Sequence, residues 1–127
     1  MTESAMHANV DPVETAAQLC RALDVYRANG RRTGEYYDHE QAATGVAPER
    51  CRVCIDGAIS IAYGVAPDDL SRAGIGARMA LARHLRIAFH ARPDDATFDD
   101  ELRDKIGIWH DDVDEDEVFR AVKAAAD

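Results

Sequence analysis

Residues 106–122, IGIWHDDVDEDEVFRAV, hold the only tryptophan of the chain, Trp109, followed by His110 and then seven residues of which six are acidic. The acid run reads as a helix start. Asp114 has the place of an N-cap, and Glu117, three residues later, completes a capping box. Val113 before the cap and Val118 after it suit a hydrophobic staple. Glu115 and Asp116 fall where the helix dipole favours negative charge. The spacing of Val118, Phe119, Val122 and Ala126 predicts a helix over 114–126 with those residues turned to the core. Ile106, Ile108 and Trp109 then predict a short extended plug, with the indole wedged under that helix and burying more area than any other side chain.

At 127 residues the chain suits one domain with its own core. Apolar residues make up 46% and aromatics only 6%, which favours closely packed helices over a strand-rich sandwich. No apolar run reaches the length of a membrane span. Residues 1–10, MTESAMHANV, lack a basic start and a long apolar stretch, so they predict a flexible N-terminus on a cytoplasmic protein and no secretory signal. Cys20, Cys51 and Cys54 are an odd set, which argues against a secreted disulfide framework.

Charge is unevenly spread. Residues 94–117 carry twelve of the twenty-four acids against only Arg103 and Lys105. Residues 70–93 carry Arg72, Arg78, Arg83, Arg86 and Arg92 and no acid. The two segments either screen each other in water or one of them meets a charged partner.

A first helix is marked by Asp11 as cap, Pro12 at the first position and Glu14 three after the cap, and Gly30 ends it. Its predicted inner face is Val13, Ala16, Ala17, Cys20, Leu23 and Tyr26. Residues 30–50 are a long irregular loop, punctuated by Gly30, Gly34, Gly45 and Pro48, with a short helix within EYYDHEQAA. Tyr36 and Tyr37 there either cover the core edge or belong to a binding loop. A second helix is predicted over 51–63, apolar except for a line of Arg52, Asp56 and Ser60 at spacing four. A third is predicted over 72–90. Arg78 lies inside its apolar arc and has to reach an acid or snorkel outward.

The run CRVCIDGAI, the arginine-rich helix after it, and IWHDD before DEVFRAVKAAA together resemble a family of small proteins of unknown function from actinobacteria and their phages. In that family a cysteine precedes a Gly-Ala helix start, and a tryptophan, usually followed by Asn-Asp, precedes a short last helix. The matching residues here are Cys54, Gly57, Ala58, Trp109 and Asp111, with His110 standing where Asn is usual. The resemblance implies a small helical domain, phage-encoded in some members, and transfers no activity.

Chemical motifs are sparse. Cys51 and Cys54 have zinc spacing, with His39, His84, His90 or His110 as possible companions, but a second close pair is missing. Asp112, Asp114 and Asp116 alternate like a calcium loop, yet Glu117 and Lys123 occupy positions that need Gly and Glu. No nucleophile motif or phosphate loop is present. His110 beside Asp111 reads either as an acid/base pair or, more simply, as a solvent-facing histidine next to a turn residue.

These features predict an all-α fold: a small single-domain bundle of about four main helices over residues 11–127 with a long irregular loop. The expected function is non-enzymatic protein–protein binding, to a host protein or as a homodimer. No cofactor, metal, membrane or direct nucleic-acid contact is expected. Tyr36, Tyr37, Trp109, His110 and Asp111 are the expected partner surface. One alternative is a DNA-mimic inhibitor using Asp111, Asp112, Asp114, Glu115 and Asp116. Another is a small metal-binding or enzymatic protein.

Overall fold

Asp11 opens helix α1, Pro12–Asn29: its carboxylate accepts from the amides of Val13 and Glu14 at 2.9 and 3.3 Å. In this computed structural model residues 11–127 are described, and the expected flexible stretch 1–10 lies outside the described residues. Gly30 ends α1 at φ 95°, with its amide on the carbonyl of Tyr26. The buried face of α1 is Thr15, Leu19, Ala22, Leu23 and Tyr26. Cys20, expected inside, is exposed, and Val13 is 79% exposed. Two overlapping helical stripes compete on α1. The one carrying Leu19 and Tyr26 buries more apolar area and turns Ala17 and Cys20 outward.

The irregular region is tied to the segment that follows it. The amide of Val53 donates to Gly30 O at 2.9 Å and the amide of Arg32 to Val53 O at 3.0 Å. The amides of Asp38 and Cys54 donate to Arg52 O and Tyr36 O at 2.8 and 3.2 Å. Residues 51–54 are therefore extended, bridged on both sides, and the helix expected from residue 51 begins only at α3, Ile55–Ala62. Helix α2, His39–Ala43, and a 3-10 turn, Pro48–Arg50, interrupt the loop.

Helix α4, Ile75–His84, is shorter than the expected 72–90 span. The chain leaves it through Arg86 at φ 58°, and Ile87 and Phe89 return half-buried. The next element corrects the sequence reading more deeply. Residues 98–112, expected to be loop and then an extended plug, form helix α5, Phe98–Asp112. Phe98, Leu102, Ile106 and His110 are its buried residues at spacing four, with Arg103 beside them. Asp99, Asp100 and Glu101 sit in its first turn, where the dipole favours them. Trp109, expected to be the deepest wedge, is only half-buried against the core, whereas Ile106 and His110 are fully buried and Ile108 is 66% exposed. A helical register turns 108 and 109 off the inner face.

Helix α6, Glu115–Ala126, follows the sequence signal. Asp114 caps it by accepting from the Glu117 amide at 2.8 Å. Glu117 does not reach back; it pairs with Arg120 instead. Among the described residues the chain thus has six α-helices and no named strand. Helix α1 packs chiefly between α3 and α6, α4 lies against α1, α5 and α6, and α5 also meets α3. Leu19, Ile55, Ile59, Leu81, Leu102, Ile106, Val118 and Val122 form the centre, each with no exposed surface. No helix of the described residues is long and apolar enough to cross a membrane.

Of the two outcomes open to Arg78 in the apolar arc of α4, reaching an acid or snorkelling outward, the structure has the first. Arg78 is fully buried, with Nε 2.6 Å from Asp56 Oδ1 and an Nη2 bond of 2.6 Å to Ser60 Oγ. The thin polar line of α3 is its receptor. Arg52, which the sequence placed on the same line, lies outside α3 and pairs with Asp38 at 3.1 Å.

Candidate functional site

The loop after α1 is fastened to the C-terminal end of α5. Arg31 Nη2 donates to the carbonyls of His110 and Val113 at 2.7 and 2.6 Å, which satisfies helix-end acceptors with a cation. Asp111 Oδ2 accepts from the Gly34 amide at 2.9 Å. Between the two elements lies a cleft of about 430 Å³. Its loop side is Gly34, Glu35, Tyr36 and His39; its helix side is Arg103, Asp104, Gly107, Ile108 and Asp111. Cys54 and Asp56, at the start of α3, complete the lining.

Of the residues expected to form a partner surface, Tyr36 and Asp111 do line this cleft. Tyr37 does not; its ring stacks on that of His39 with centroids 4.2 Å apart. Trp109 lies outside the cleft, partly buried at the edge of the core. His110, expected in solvent, is fully buried. Its Nε2 lies 2.8 Å from the Tyr26 hydroxyl and its Nδ1 3.0 Å from Asp111 Oδ1. Because a carboxylate only accepts, Nδ1 carries the proton, and Nε2 of the neutral ring accepts from Tyr26. The order Tyr26–His110–Asp111 has the form of a relay, but Tyr26 is 1% exposed. It joins α1 to α5 and presents no nucleophile to solvent.

The acids considered for mimicry have separate tasks. Asp111 is held by Gly34 and His110, and Asp114 is a cap. Asp112, Glu115 and Asp116 are exposed. The thiols of Cys51 and Cys54 are turned to the protein. Cys51 donates to the carbonyls of Val46 and Ala47, and Cys54 Sγ accepts from the Gly57 amide at 3.3 Å as the cap of α3. Burial, and then the charge of Asp56, push the Cys54 thiol up to about 12, so it stays protonated at neutral pH. Among the described residues no three His, Cys, Asp or Glu side chains are grouped to hold a metal.

Glu35, Cys54, Asp56, Arg103, Asp104 and Ile108 were missed as site residues. Residues 104, 108 and 111 share one helical face, with 103 and 107 beside them. Reading 98–112 as a helix is the signal that finds them.

Acid sensitivity follows from His110. Burial holds its pKa below the ordinary 6.5; the Arg31 charge lowers it further and Asp111 opposes the shift. The unfolded chain then binds the proton first. The stabilisation is complete above pH 6.5 and is lost as pH falls below that value toward the lowered one. Glu101 has a separate window. It accepts from the amides of His90 and Ala91, which lower it from 4.5 to about 2, so its contribution is lost as pH falls across that range. The melting temperature is expected to fall in two stages on acidification. His110→Asn should remove only the upper stage; an unchanged upper stage would refute the assignment.

A small all-α domain with a cleft of ligand size at one helix end is the class these features define. The chain belongs to DUF6197, a family of unknown function, which it matches over residues 10–127. No curated protein and no solved structure matches it.

Proposed function

We propose that the chain is a non-enzymatic binding protein that takes a basic segment of a partner protein into the cleft between residues 34–39 and α5. The carrying observation is the exposed carboxylate of Asp104 beside the exposed Ile108 at one opening, whose other acids, Glu35 and Asp111, are already engaged by Arg32 and His39 and by Gly34 and His110. Carboxylates at a rim attract cationic side chains and speed encounter, and an exposed isoleucine adds apolar contact. Asp104 has no hydrogen-bond or ion-pair partner among the described residues, so its charge is available to a ligand. A phage-encoded modulator of a host protein is one setting for such a binder; the family resemblance supports it.

DNA mimicry draws less support. Of the twelve acids in 94–117, Asp95, Asp99, Glu101, Asp111, Asp114 and Glu117 are engaged in caps, turns or ion pairs. That leaves a broken row in place of a phosphate-like one. The test is a titration of a lysine- and arginine-containing peptide followed by amide chemical shifts. The shifts should cluster at the cleft, and Asp104→Lys should weaken binding at least about tenfold, since reversing a contact charge costs more than 1.4 kcal/mol at an effective dielectric of about 20. Shifts scattered over α6 instead would favour the mimic, and no shifts at all would refute the binding role.

A further inference from the structure

A second cavity, of about 380 Å³, lies at the C-terminal end of α4 and shares no lining residue with the cleft. Met79 and Arg83 border it from one face of α4, a turn apart. Ile87, Phe89 and Ala91 come from the segment that follows, and Phe98 from the start of α5. Phe98 is buried, and its ring centroid lies 5.2 Å from that of Phe89. The segment 87–91 is tied down along its length. The Ile87 amide donates to Ala82 O at 3.0 Å, and Lys105 Nζ donates to Ala88 O. The amides of His90 and Ala91 donate to Glu101 at 2.6 and 2.8 Å. The walls are therefore held by the fold itself, as the walls of small-molecule sites usually are.

The lining is apolar but for one residue. Arg83 is exposed, and its guanidinium has no hydrogen-bond or ion-pair partner among the described residues. No acid borders the cavity among the described residues, and residues 70–93 contain none. The acids that adjoin it along the chain are largely spent elsewhere. Glu101 serves two amides and Lys105, Asp95 accepts from the Arg92 amide, and Asp99 pairs with Arg72. Asp94 and Asp100 are exposed and lie outside the lining. An accessible guanidinium beside an apolar hollow suits an anion with an apolar body. The planar fork of arginine matches a carboxylate through two parallel bonds. Phenyl rings and the adaptable thioether of Met79 take up the apolar part. A basic peptide of the kind proposed for the cleft would be repelled here.

We propose that this cavity binds a small carboxylic acid with an apolar body, its chain against Met79, Ile87, Phe89 and Phe98 and its carboxylate on Arg83. The site is independent of the basic-segment reading of the cleft and stands or falls without it.

Octanoate, octanol and acetate separate the contributions in the wild-type protein, each used below the concentration at which octanoate forms micelles. The Met79 and Ile87 methyl resonances and the Arg83 Nε–H resonance report on the cavity. Octanoate is expected to move all of them with one saturating midpoint. Octanol has the chain without the charge and is expected to bind at least about tenfold more weakly. Acetate has the charge without the chain and is expected to move none of them. Arg83→Gln changes an exposed side chain that no other residue engages, so the variant should fold as the parent does. It should weaken octanoate at least about tenfold and leave octanol unchanged. Arg92→Gln, also exposed but outside the lining, should leave both unchanged. Equal affinities for octanoate and octanol, or equal losses in the two variants, would overturn the carboxylate reading. Octanoate that leaves Met79 and Ile87 unmoved would overturn the site itself. A peptide ending in Leu-Phe with a free carboxylate, bound at the same resonances more tightly than octanoate, would make the occupant a partner's chain end and overturn the small-acid assignment.

Discussion

Replacing Arg78 by alanine is expected to lower the stability of the domain by about 3–5 kcal/mol, the range found when one partner of a buried ion pair is removed. The whole stability of such a domain is on the order of 5–15 kcal/mol, so the variant should be mostly unfolded well below the melting temperature of the parent. The reason is what the substitution leaves behind. Asp56 is fully buried at the start of α3, with Oδ1 2.6 Å from Arg78 Nε. The same guanidinium also serves the Asp56 carbonyl, Ser60 Oγ and the Ala73 carbonyl. Alanine abandons all of these acceptors and a carboxylate in the interior, and it opens a cavity. Urea unfolding measures the loss directly. A second variant isolates the cause: Arg78→Met together with Asp56→Leu removes both charges and fills the space, and should recover most of the deficit. A double variant as weak as Arg78→Ala would place the effect in packing and not in the stranded charge.

Arg78 was legible as an anomaly before its partner was. A single arginine in the apolar arc of α4 has few outcomes, and the sequence itself carries the line of Asp56 and Ser60 on the neighbouring helix. What one helix's periodicity lacks is the identity of the helix that faces it. Helices α1 and α6 were legible for a local reason: Asp11 and Asp114 cap their own chains, and capping is settled within four residues. Helix α5 was missed because its stripe, Phe98, Leu102, Ile106 and His110, contains a histidine and is crowded by acids. With His110 placed in solvent the repeat loses its last member, and Trp109 takes its place as the inward residue. The cleft went with it, since Arg103, Asp104, Ile108 and Asp111 share a face only when 98–112 is helical. Segment 51–54 was misread for a different reason. Its amides go to Gly30 and Tyr36, partners far along the chain that no local pattern reveals.

Those same partners make Gly57 sensitive to a single methyl group. Gly57 is helical, in α3, and alanine in a helix ordinarily gains about 1 kcal/mol over glycine. Here a Cβ would stand 2.5 Å from the Tyr36 carbonyl oxygen and 2.6 Å from Val53 Cγ2. The first of these is backbone, and it is the oxygen that accepts from the Cys54 amide at 3.2 Å. It cannot step aside without opening the bridge between residues 36 and 54. Overpacking a tight site costs about 1–3 kcal/mol, and displacing a bridged main chain belongs at the upper end, so Gly57→Ala is expected to destabilise by about 2 kcal/mol net. Gly107 provides the contrast. It too lies within a helix, α5, but a Cβ there meets nothing within 4 Å. Gly107→Ala should therefore stabilise by up to about 1 kcal/mol. Thermal melts of the two variants should shift in opposite directions. Tyr36 also borders the cleft, so Gly57→Ala should in addition weaken the binding of a basic peptide at temperatures where the variant is still folded. A melt for Gly57→Ala at or above that of the parent would mean that the 36–38 segment does not press on α3, and the cleft would lose the wall that gives it shape.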